Sequence, residues 1–287
     1  MHKSHIMVGT AATLVMAGLA GCTAQQATDS AHTAADAAES ANKAVLAALR
    51  TTSAKTQQAK SAEITMAVKL KGDAVAKSST GTYAWGTRGT AFDVSMDAKD
   101  LGALSPGART TMRFVGGAYY YRVKPQPEGP LKGKHWMKVD GSAISGAQGN
   151  KAFSQGNGDP TADIKRLQYA NNGHEVGKET LDGHSTVHYR ATIDKDHLGA
   201  LGRTLSGEGE NNHWREFAGT VTSLTLDVWV DPATGLPARL HETFGEAEVT
   251  MDFHKFSGAR QITAPPTADT GDLTQALKDM KTDEGKS

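Results

Sequence analysis

The most reactive side chain in this sequence is its only thiol, Cys22, and the residues before it indicate what that thiol is for. Leu19-Ala20-Gly21-Cys22 matches the bacterial lipobox, in which the sulfur takes a diacylglyceryl group and the chain is then cut before the cysteine. Upstream, Met1 to His5 is short and polar, with Lys3 as its fixed positive charge. Ile6 to Ala20 is apolar apart from small residues and Thr10 and Thr13. That run is too short to span a bilayer, which needs about 20 apolar residues. A charged start, an apolar centre and a small-residue exit predict a lipoprotein signal peptide over 1–21. Acyl burial contributes about 0.8 kcal/mol per CH₂, and two chains hold a protein to a membrane where one does so only marginally. Cys22 is therefore expected to be an anchor rather than a nucleophile, which places the mature chain on the outer face of the cell membrane.

Other chemistry is sought at residues whose spacing would reveal it. There is no G-x-S-x-G elbow, and "HETFG" at 241–245 has Gly245 where a zinc-binding H-E-x-x-H would need its second histidine. "GEGENN" at 207–212 lacks the third glycine and the strand–helix setting of a dinucleotide loop. His184 and His188 are four apart, which suits a metal on a helix, but their segment reads as strand, where that spacing separates them by roughly 13 Å. Asp227, Asp231 and Asp252 read as turn or convex-face residues. No catalytic residue, metal or cofactor is expected. The 31 basic residues include Lys3 of the leader, so the mature chain stands one charge to the acidic side of its 31 acidic residues. That balance excludes nucleic acid as a partner, which would require a basic patch. With no second cysteine to pair, the fold must rest on its core.

The elements follow from periodicity. Residues 22–40 are poor in bulky apolar side chains and read as a flexible tether after lipidation. Ala41, Val45, Ala48, Leu49 and Thr52 recur at helical spacing, which predicts an amphipathic helix to about Lys60. The period then changes to two. Ile64, Met66, Val68 and Leu70 alternate with polar or small residues, as do Tyr83 and Trp85, then Phe92, Val94 and Met96. "RTTMRFVGGAYYYRVKP" predicts two strands hinged at Gly116-Gly117, with the tyrosine run explained by strand propensity, and a short strand surrounds Trp136. The segment 141–159, rich in Gly, Ser, Asn and Gln, reads as a loop. A short helix near Ile164 and Leu167 is expected after it. Strands resume around an Asp182-Gly183 turn, and "DPATG" at 231–235 joins two more, with glycine where a positive φ is required. The result is an α+β fold of roughly ten one-sidedly apolar antiparallel strands with few helices, forming one domain over 41–266 and ending in a polar tail over 267–287, in which "DLTQALKDM" is compatible with a helix turn or two.

Two runs carry a resemblance. Asp182-Gly183-His184-Ser185-Thr186-Val187-His188-Tyr189 and "VWVDPATGLPARL" at 228–240, with "YYYRVKP" and "HWMKVD" as a weaker third portion, resemble the actinobacterial lipoproteins of the LppX/LprG type with a LolA-like fold. The likeness spans about Ala41 to Pro266. It implies a curved antiparallel sheet, a half-barrel whose apolar concave face is covered by helices, and a role in holding acyl chains of lipids or lipid-linked glycans. The residues then expected to line the ligand are Met66, Val68, Tyr83, Trp85, Phe92, Val94, Met96, Met112, Phe114, Val187, Leu226, Val228 and Phe253. Methionines suit irregular apolar guests, and a concavity with few polar groups suits lipid. The same face read as ordinary core packed on the helix at Val45 to Leu49 would instead mean an envelope scaffold or sensor acting through a protein partner.

Overall fold

The computed structural model describes residues 24–70, 76–86, 89–152, 160, 164, 170, 172–194, 223–258 and 260–284. Cys22, the signal segment and most of 153–171 and 195–222 lie outside them, and with them the short helix expected around Leu167. The chain divides into two compact units, Met1–Glu39 and Ser40–Ser287, and the whole sheet belongs to the second.

Helix α1 spans Ala24–Ala59. It therefore begins well before Ala41, inside the segment expected to be a tether; alanines dominate that stretch, and alanine is the strongest helix former. After it come β1 (Ser61–Lys69), β2 (Lys77–Ala84), β3 (Ala91–Asp97), β4 (Arg109–Val115), β5 (Ala118–Arg122) and β6 (Trp136–Asp140). These are the expected meander, each paired antiparallel with the next as far as β6. The β4–β5 hairpin turns on Gly116 and Gly117, both at positive φ (62° and 78°), as a two-residue turn matching strand twist requires.

Helix α2, Ser142–Ala152, occupies the start of the stretch expected to be a loop. Contacts hold it rather than propensity. The Asp140 carboxylate accepts the Ser142 N–H at 2.8 Å, and the Asn150 amide donates to the Gly117 carbonyl at 2.9 Å. Strands β7 (His174–Leu181), β8 (His184–Asp194), β9 (Ser223–Val230), β10 (Pro237–Phe244) and β11 (Ala247–Ser257) form the second meander. The β9–β10 turn is built by Asp231: its carboxylate accepts the Ala233 N–H and the Thr234 hydroxyl, and Gly235 sits at φ 70°. The residues after Pro266 are part of the fold instead of a loose tail. β12 (Thr270–Asp272) pairs parallel with β6, and α3 (Thr274–Glu284) comes after it.

All twelve strands make one open, curved sheet in the order β12-β6-β5-β4-β3-β2-β1-β11-β10-β9-β8-β7. Pairing of β1 with β11 joins the two meanders at the centre. The α+β, curved antiparallel architecture is as expected, with twelve strands rather than ten.

Candidate ligand-binding face

Strand register gathers the apolar side chains onto one face. Met66 lies opposite Met251 on β11 and Ser79 on β2, and Val68 lies opposite Val249. Tyr83 lies opposite Phe92, Phe92 opposite Phe114, and Val94 opposite Met112. In the second meander Val187, Tyr189 and Ala191 lie opposite Val230, Val228 and Leu226. Every expected lining residue in the described part therefore belongs to a single face.

That face has two zones. Tyr83, Trp85, Phe92, Val94, Phe114, Leu226, Val228 and Phe253 are all buried, with Phe114 and Val228 at 0% exposure, in one cluster with Val45 and Leu49 of α1. Aromatic rings run through it: Phe92 stacks on Tyr83 at 5.9 Å and on Phe114 at 5.5 Å. The Trp85 indole N–H donates to the Thr56 carbonyl at 3.0 Å, which ties the helix over this zone. Met66, Val68, Met96, Met112 and Val187 are only half-buried, and Met66 and Met112 pack against the cluster's margin. The margin also holds Met251, Tyr189, Phe244 and Tyr119, which are not among the expected lining residues. For Met251 the signal was available in the Val249, Met251, Phe253 alternation. For Tyr119 and Tyr121 it was masked by the tyrosine run, in which every second ring faces the other way.

Burial pushes the Tyr119 phenol up in pKa, and burial followed by the neighbouring Tyr119 pushes Tyr121 up to about 12. Both stand in an apolar niche: Tyr121 lies opposite Met112 and Met137, and Tyr119 lies opposite Phe114 and Val139.

The opposite face is polar and tightly bonded. Buried His188 shares hydrogen bonds with Glu179 (2.8 Å) and with buried Asp227 (2.6 Å). Arg190 donates to both Asp227 oxygens, at 2.7 and 3.2 Å, and the Trp229 ring stacks on the imidazole at 4.1 Å. The Trp229 indole N–H, then His188, hold the Glu179 carboxyl below its usual range. Asp227 and Asp252 are convex-face residues as expected, the latter paired with Arg239. Also on this face, a cleft of about 250 Å³ is bordered by Asp93, Arg113 and Arg260, too polar for an alkyl chain. His184 and His188 both lie on β8, and among the described residues no group of three His, Cys, Asp or Glu is placed to hold a metal.

No protein-family model matches the chain. A relative is found in Streptomyces coelicolor: "Putative lipoprotein SCO4650" is 25% identical over 243 residues, 80% of this chain and 75% of that protein. This chain is similar to an actinobacterial lipoprotein. Similar solved structures include the Mycobacterium tuberculosis lipoprotein LppX (15% identity, TM-score 0.49, covering 77% of this chain and 99% of that one). Another is LprF from Mycobacterium bovis (11% identity, TM-score 0.49, covering 78% and 97%).

Proposed function

We propose that this protein is a lipoprotein anchored through acylated Cys22 to the outer face of the cell membrane, whose curved sheet binds or carries an apolar, acylated lipid or lipid-linked glycan. The observation that carries the reading is the divided apolar face. Beyond the zone closed by α1, half-buried Met66, Met112, Met251 and Tyr119 border the closed cluster on the same apolar face. Polarizable, adaptable methionines in such a position fit a guest better than they fit a finished core. The lipobox and the lipoprotein relative support the anchor and the location.

The mechanism is binding without covalent chemistry. Alkyl chains leaving a bilayer need an equally apolar host, and burial at about 25 cal/mol per Å² supplies it.

A second reading is favoured by the closed zone. Phe92, Phe114 and Val228 are packed as core, so a domain filled throughout would act as a scaffold or sensor for an envelope protein. Native mass spectrometry separates the two. The full chain carrying Cys22→Ser, so that no anchor lipid is counted, is expected to show a reproducible added mass that organic extraction resolves into lipid. A clean apo mass with no uptake of offered phospholipid or glycolipid sinks the carrier reading in favour of the scaffold. In the parent cell, a labelled fatty acid is expected to be incorporated into the parent chain and not into Cys22→Ser; a parent chain that takes up no label would overturn the anchor.

A further inference from the structure

We infer that the polar cleft on the convex face is a binding site for one neutral sugar residue. The inference goes beyond the lipid reading and does not depend on it, because the cleft lies on the side of the sheet away from the apolar cluster.

Register builds the floor. Glu63, Thr82, Asp93 and Arg113 lie opposite one another in one row across β1 to β4. Alternation with buried Tyr83, Phe92 and Phe114 turns the last three to the convex side. Residues 260–263, which follow β11, form the opposite wall as a strap that arginines pin at both ends. The Arg260 guanidinium donates to the Glu63 carboxylate at 2.9 Å and to the Thr82 hydroxyl at 3.2 Å. The Arg113 guanidinium donates to the Thr263 carbonyl at 2.9 Å. Arg113 is itself fixed, donating through Nε to Asp93 at 2.9 Å and lying 5.1 Å from the centre of the Trp136 ring. Strap and floor are thus set before a guest arrives, which lowers the ordering cost of binding. The space they enclose is about 250 Å³. Pockets for drug-sized molecules begin at about 300 Å³, so this one takes a single small ring.

The charges decide what kind of ring. Each arginine already has its carboxylate, Arg113 with Asp93 at 2.7 Å and Arg260 with Glu63. An anion entering the cleft would meet both carboxylates along with both arginines, and a cation would meet the reverse, so neither charge is favoured. What remains is a set of unused donors and acceptors side by side. Among the described residues, Asp93 Oδ1, Arg260 Nη2 and the Gln261 side-chain amide have no hydrogen-bond partner. A sugar ring carries neighbouring hydroxyls, each able to donate and to accept. Bonds from such hydroxyls to ionised groups are the stronger kind, and here they need no net charge on the guest. An alkyl chain in the same place would displace water from these groups and return nothing.

The test is a titration. The full Cys22→Ser chain, with nitrogen-15 in its arginines, is titrated with methyl glucoside, methyl galactoside and methyl mannoside in turn, and the Nε–H signals of Arg113 and Arg260 are followed by NMR. At least one glycoside is expected to shift both signals saturably, with a Kd in the millimolar range that a few net hydrogen bonds supply. The Arg260 side chain is 57% exposed, so Arg260→Gln is expected to leave the sheet folded while the Arg113 signal then needs about tenfold more sugar, the loss of one charge-assisted bond. Arg122→Gln, on the same face but outside the cleft, is expected to change nothing. No saturable shift with any of the three glycosides overturns the inference. Saturation by inorganic phosphate in their place also overturns it, by marking an anion site, as does a glycoside shift that Arg260→Gln leaves undiminished. Once a glycoside binds, the same sugar offered as a soluble oligosaccharide and as the headgroup of a glycosyl diglyceride in vesicles distinguishes a free glycan from a lipid as its source. Binding of either supports the site.

Discussion

Asp227 shows how much organisation the sheet carries away from its apolar face. Its carboxylate is 3% exposed on the convex side, where a lone charge would be strongly disfavoured, and it is tolerated because His188 and Arg190 both bond to it. Removing it leaves those two groups facing a gap while Trp229 still shuts out water from the imidazole. Asp227→Ala is expected to lower stability by about 3–5 kcal/mol, the range for breaking one side of a buried ion pair. Urea unfolding followed by circular dichroism checks this; a loss under about 1 kcal/mol would mean the network is ornamental. Lipid uptake is expected to survive the change, because the network lies on β7 to β9 and the methionine margin on the opposite face of the sheet, on β1, β4 and β11. The position was legible from sequence as a convex-face residue. Its partners were not, because His188 and Arg190 reach it, and Glu179 reaches His188, through strand register across β7, β8 and β9, which alternation within one strand does not specify.

At the scale of elements, apolar alternation and the Gly-Gly, Asp-Gly and Asp-Pro turns made the two meanders readable, since each strand there has one face to bury. Elements held by individual polar contacts were not readable. β12 is only Thr270-Gly271-Asp272, with no apolar pattern, and it joins the sheet as a parallel strand on β6. There Lys138 donates to Asp272 at 2.7 Å, and the Asp272 carboxylate accepts the Thr274 N–H at 2.9 Å to start α3. Partial burial raises the Asp272 pKa, but Lys138 and Thr274 outweigh it and bring the group from its usual 3.8 to about 2. An unfolded strand takes up a proton near pH 3.8 that the docked strand refuses until about 2. The stabilisation is therefore complete above about pH 4 and is lost as pH falls from there toward 2. β12 and α3 are expected to loosen in that window before the central strands do, although half-exposure of Asp272 keeps the effect local. Hydrogen exchange measured at pH 5 and pH 3 tests it: amides of 270–280 should gain exchange relative to those of β1 and β11, and uniform protection at both would refute the assignment.

At the scale of the molecule, the question is whether the centre of the sheet is a floor or a filling. β1 and β11 form its spine, and Met66 and Met251 face each other there, half-buried at the edge of the closed cluster. A filled domain and a lipid host predict opposite results for one substitution at this point. In a filled domain, Met251→Lys forces an ammonium into packed side chains, lowers stability by several kcal/mol, and alters no ligand because none is held. In a lipid host the same lysine lies along the wall of a space that empties and fills. Its stem can cover Met66 while its charge reaches water in the empty state, so stability changes by about 1 kcal/mol or less. A bound alkyl chain would have to cover that charge, and uptake of phospholipid is expected to fall at least tenfold. Measuring the unfolding midpoint and the bound lipid on the same preparation of Met251→Lys reads both quantities at once. A stable protein that has lost its lipid supports the host, and a protein that unfolds without ever having held lipid identifies the sheet as filled core.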